Sequence, residues 1–88
     1  MDGRKTHRRR TLIGAKILLN GGSSVLDCVV KDLSDGGARL VMDGAIAVPP
    51  ADFDLHLSDG RVFRSCRIAW RQVSSLGVSF SQPSVNAA

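Results

Sequence analysis

Two short segments carry the side chains best suited to hold a ligand. The first is a basic arm, Arg4-Lys5-Thr6-His7-Arg8-Arg9-Arg10, and the second is a corner, Asp32-Leu33-Ser34-Asp35-Gly36-Gly37. An arginine fork pairs bidentately with phosphate oxygens or with the O6 and N7 edge of guanine, and its flat face stacks on a base. Lysine supplies only a point charge, so Lys5 and His7 read as bystanders. The Asp32 carboxylate accepts hydrogen bonds from a guanine N1 and N2 edge, a pattern that adenine does not offer, and Ser34 is short enough to donate or accept beside it. Gly36 and Gly37 are expected to supply positive-φ backbone or room for a ring to approach. Each segment also has a plain reading: a solvated tail for the arm, and a β-turn whose Asp32, Ser34 and Asp35 bond their own backbone for the corner.

Charge placement separates these readings. The first ten residues hold five basic side chains against Asp2, and the remaining seventy-eight hold seven basic and seven acidic ones, so the whole net charge of +4 sits on the arm. A neutral body with one charged arm suits a clamp on a compact anion better than a track for a long polyanion. The chain has 88 residues, enough for one small domain. No apolar run approaches the roughly 20 residues of a membrane span, and Gly14 and Lys16 interrupt any signal-peptide core after Leu12-Ile13, so the expected compartment is the cytoplasm. Cys28 and Cys66 stand singly in apolar stretches and read as reduced core thiols. Neither they nor His7 and His56 have metal-ligand spacing, so no metal and no cofactor is assigned.

The elements that must position the two segments read as strands. Ala15 to Leu19, Val25 to Leu33, Ala38 to Met42, Phe53 to Ser58, Val62 to Trp70 and Leu76 to Phe80 alternate with period two, and no long stretch has helical spacing. Asn20-Gly21-Gly22-Ser23-Ser24 and Asp59-Gly60 are turn signals, and Val48-Pro49-Pro50-Ala51 breaks the pattern. About six short strands imply an all-β fold, a small six-stranded antiparallel barrel whose closure removes unprotected edges. Its expected parts are a flexible basic arm over 1–11, the barrel over 12–81 and a frayed tail over 82–88. Alternation puts Cys66, Ile68 and Trp70 on one face of the fifth strand, where Trp70 reads as a core cap in preference to a stacking platform beside Arg71. The basic residues Arg61, Arg64 and Arg67 are expected to be balanced by Asp52, Asp54 and Asp59.

Arg4 and Arg8 are spaced Arg-x-x-x-Arg, and Asp32 to Gly37 matches Asp-x-Ser-x-x-Gly. In these two motifs, in this order on an all-β pattern, the chain resembles the PilZ family, whose ligand is the bacterial second messenger cyclic di-GMP. Leu76-Gly77-Val78-Ser79-Phe80 is similar to the strand that closes such barrels, so the likeness spans nearly the whole chain. The resemblance implies that Arg4 and Arg8 address the ligand's phosphates and guanines. Arg9 and Arg10 join them by proximity and charge.

The expected function is therefore a cyclic di-GMP receptor whose arm orders on binding and which signals to an unidentified partner protein. The resemblance implies motility, exopolysaccharide production and biofilm formation as candidate processes. Two other classes compete: a ligand-independent PilZ-like interaction adaptor, and a small nucleic-acid-binding barrel. The second is disfavoured by the neutral body and the scarcity of aromatic platforms. The chain departs from many PilZ relatives in lacking a C-terminal helix after the last strand. Enzymatic activity is not expected, since no nucleophile-base pair, carboxylate dyad or metal cluster is present.

Overall fold

The computed structural model describes residues 9–42 and 52–86. Among the described residues seven strands follow one another: β1 (Arg9–Leu19), β2 (Ser24–Leu33), β3 (Gly37–Val41), β4 (Phe53–Leu57), β5 (Arg61–Arg71), β6 (Ser75–Ser79) and β7 (Val85–Asn86). All pairings are antiparallel, in the order β4-β1-β2-β3-β6-β5-β7, and β4 also pairs with β5. That last pairing closes β1 to β6 into the expected six-stranded barrel. No α-helix occurs among the described residues; a single 3-10 turn, Asn20–Gly22, joins β1 to β2.

Alternation fills the barrel. Ile17, Val30, Leu40, Leu55, Cys66 and Leu76 are fully buried, one from each strand of the cylinder. Burying each large aliphatic chain contributes about 1.5–3 kcal/mol. The β4–β5 hairpin forms at Asp59-Gly60, where Gly60 takes φ +99° and its N–H donates to the Leu57 carbonyl at 3.0 Å. Asp59 in turn accepts from the Arg61 backbone N–H at 3.0 Å and from its guanidinium at 2.8 Å. Arg67 pairs with Asp52 at 3.5 Å. Asp54, expected to pair with a basic neighbour, instead accepts the Ser65 backbone N–H at 3.1 Å. Cys28 and Cys66 are both unpaired and buried.

The strands depart from strict period two at bulges. Val30 pairs with Leu40 and Asp32 with Arg39, so Lys31 is extra on β2; Ile68 pairs with Val78 and Trp70 with Gly77, so Ala69 is extra on β5. An extra residue flips the facing of everything beyond it.

Two boundaries differ from expectation. Arg9, Arg10 and Thr11, assigned to the arm, belong to β1, because β2 extends far enough to pair with Arg9 and Arg10, and Thr11, in the irregularity that follows, donates its Oγ1 hydrogen to the Val30 carbonyl at 2.7 Å. Val85 and Asn86, assigned to a frayed tail, pair as β7 with Arg61 and Val62. Residues 1–8, with Arg4 and Arg8, and the Val48-Pro49-Pro50-Ala51 break lie outside the described residues.

Candidate functional site

The bulges assemble the site. Up to Val30, β2 sends every second residue inward, and continued alternation would bury Asp32. The extra residue Lys31 instead turns Leu33 toward the core and Asp32 to the outside. On β5 the same device at Ala69 corrects the assignment of Trp70 as a core cap. Trp70 is 42% exposed and lies on the outer face.

Residues directly opposite one another in a sheet share a face. Arg10 pairs with Asp32, Asp32 with Arg39, Arg39 with Gly77 and Gly77 with Trp70. They form one row across the outside of β1, β2, β3, β6 and β5, roughly 19 Å long at the usual strand spacing. In order it reads cation, anion, cation, bare backbone, indole. Gly77 is bare for a reason: a Cβ there would overlap Nε1 of Trp70, so the indole lies across β6 only because that position has no side chain.

Within the row, Arg39 Nε donates to Asp32 Oδ2 at 2.6 Å. The Asp32 side chain is 18% exposed and that of Arg39 44% exposed, so the carboxylate is half-withdrawn beneath a reachable guanidinium. An open groove of about 290 Å³ runs over these residues, lined by Asp32, Ser34, Gly36, Arg39, Trp70 and Ser79, among others. It offers a flat apolar platform at one end and a carboxylate with forked donors at the other.

The corner beside the row is held by its own backbone. Ser34 N–H donates to the Gly37 carbonyl at 2.9 Å, its hydroxyl donates to the same oxygen at 3.2 Å, and Phe80 N–H donates to the Gly36 carbonyl at 3.0 Å. Ser34 thus behaves partly as an ordinary turn residue, while it also lines the groove, where its hydroxyl oxygen can still accept. Gly36 and Gly37 do not take positive φ, contrary to that part of the expectation. Gly37 is required by close approach: a Cβ would strike the Val78 carbonyl oxygen where β3 meets β6. Gly36 has open space around it, which leaves the groove clear at that point.

A second groove, of about 800 Å³, opens on the other side of the corner at the barrel mouth. Its floor includes Phe63 and Phe80, whose rings stack with centroids 3.9 Å apart and planes 11° from parallel. Arg9 belongs here, since it pairs with the inward-facing Leu33, whereas Arg10 pairs with Asp32. The structure therefore brings Asp32, Ser34, Gly36 and Gly37 together, sends Arg9 to the mouth and puts Arg10 in the row.

Arg39 and Trp70 also line the first groove; sequence reasoning passed over Arg39 and set Trp70 aside as a core cap. The signal for Trp70 was its position seven residues before Gly77 across a short hairpin, where a bare strand position faces a large ring. For Arg39 it was placement two residues after the corner's last glycine.

Among the described residues no group of three His, Cys or Asp side chains could hold a metal ion, and no helix is long and apolar enough to cross a membrane. No curated protein matches the chain. A family model described as the PilZ domain matches residues 2–88, spanning the arm, the corner and every strand of the outer row, and on that match the chain belongs to the PilZ domain family.

Proposed function

We propose that this protein is a receptor for cyclic di-GMP and that the outer groove is where it binds. The observation that carries this is the cross-strand row from Arg10 to Trp70. A guanine needs a stacking surface, acceptors for its N1 and N2 hydrogens, and donors for O6 and N7. Trp70 offers the first, Asp32 the second and the arginine forks the third. Family membership supports the same ligand, since the PilZ domain is of a cyclic di-GMP-binding type.

In this reading Arg4 and Arg8, which precede β1, close over phosphates and guanines from the arm side, with Arg10 at the start of the row. Arg9 takes part from the mouth side of the corner. Charge-assisted hydrogen bonds to the ligand order the arm against Asp32 and Ser34. The surface made by the ordered arm and the barrel rim then engages a partner protein, in the cytoplasm. The chemistry is binding rather than turnover.

Isothermal titration with cyclic di-GMP is the test, using the wild type with Arg8→Ala and Asp32→Ala. Heat from the wild type that is lost or strongly reduced in both variants is the expected result. Absence of heat from the wild type, or heat unchanged in both variants, overturns the assignment. A nucleic-acid reading gains one exposed aromatic platform from Trp70, but one indole on a neutral body does not track a strand. A gel shift in which single-stranded DNA or RNA displaces cyclic di-GMP would favour it instead.

A further inference from the structure

A carboxylate reads a base edge only if its plane is fixed. Asp32 sits where β2 has just changed its facing, on a strand end beside an open corner, and its backbone alone leaves the side chain free to turn about two bonds. Among the described residues, Arg39 Nε at 2.6 Å from Oδ2 is the donor that holds it. One contact to one oxygen leaves acceptor capacity on Oδ2 and both lone pairs of Oδ1 available, enough for the two donors of a guanine N1 and N2 edge. The guanidinium retains its η N–H groups for other work, and it lies on β3 between Asp32 and the bare position under the indole.

We propose that Arg39 is a positioning residue for guanine selection: it fixes the Asp32 carboxylate so that the carboxylate accepts from the base's N1 and N2 hydrogens. This rests on the proposed cyclic di-GMP site. Removal of the guanidinium leaves the carboxylate to sample several orientations, and the loss falls on the donors that Asp32 reads. A general cation at position 39 would instead act on the phosphates and leave base discrimination alone.

The experiment measures affinities of the wild type, Arg39→Met, Arg39→Lys, Asp32→Asn and Arg39→Met/Asp32→Asn for cyclic di-GMP and for cyclic di-IMP, which lacks both N2 amino groups. Amide NMR spectra establish that each variant is folded. The expected result is that the wild type's preference for cyclic di-GMP over cyclic di-IMP shrinks about tenfold in Arg39→Met. Arg39→Lys is expected to fall between, and Arg39→Met to add little once Asp32→Asn is present. An equal weakening of both ligands, or affinities unchanged in Arg39→Met, overturns the positioning role while leaving the site itself standing. Wild-type protein that binds neither ligand overturns the site, and the positioning role falls with it.

Discussion

β4 and β2 start from the same alternating pattern and end differently. In β4, Phe53, Leu55 and Leu57 face the core without interruption while Asp54 and His56 stand between them. In β2, Cys28 and Val30 keep that order and then Lys31 breaks it, which turns Asp32 outward beside Arg39. The regular strand contributes barrel; the interrupted strand also lines the outer groove in which binding is proposed. A single inserted residue separates the two roles, because it exchanges the faces without changing the sheet.

Five substitutions or treatments break or sharpen that contrast. The largest effect is expected from Leu55→Ala on the regular strand. Leu55 is fully buried, and its truncation costs about 2–5 kcal/mol in denaturant unfolding, with the affinity of the folded fraction for cyclic di-GMP unchanged. Asp32→Ala on the interrupted strand is expected to do the opposite. Titration should show a loss of about 1.5–3 kcal/mol in binding, as for hydrogen bonds to a charged group. Its melting temperature should hardly move, because a partly exposed ion pair contributes about 0–1 kcal/mol. His56→Ala, at a non-core position of β4, should change neither quantity, and a loss of binding there would erase the distinction between the strands.

Trp70→Ala is expected to weaken binding by about 1–3 kcal/mol, the range for one base stacked on one aromatic ring. Unchanged affinity would remove the indole from the site. A chemical probe addresses the thiols. Burial, reinforced by the Asp27 charge, pushes Cys28 up to about 11, and burial with the Asp54 charge pushes Cys66 up to about 12. Both stay protonated at pH 8, so iodoacetamide should leave them intact until denaturant is added. The ordinary thiol value of 9.0 applies in the unfolded chain. Their contribution to stability is therefore complete below pH 9 and is lost as the pH climbs through the folded values. Rapid labelling at pH 8 in native buffer would contradict the burial of both.

The strands and the Asp59-Gly60 hairpin were legible because turn chemistry and alternation are local. The corner was legible because Asp32, Ser34 and the two glycines are adjacent in sequence. The bulges were not, since an extra residue is defined only against a partner strand, and neither Lys31 nor Ala69 differs in type from its neighbours in a way that marks it. Trp70 was consequently placed with Cys66 and Ile68, and Arg9 and Arg10 were not told apart. Arg39 escaped notice because a basic residue on the polar face of a strand is ordinarily solvated. The reason for Gly37 was also hidden: it answers to the Val78 carbonyl, forty-one positions away in sequence.

Trp70 is the sole indole of a chain that has no tyrosine. Ultraviolet emission from this protein accordingly originates at one end of the outer groove. Quenching or a spectral shift on addition of cyclic di-GMP would therefore report the proposed occupancy of that groove in real time without any attached dye.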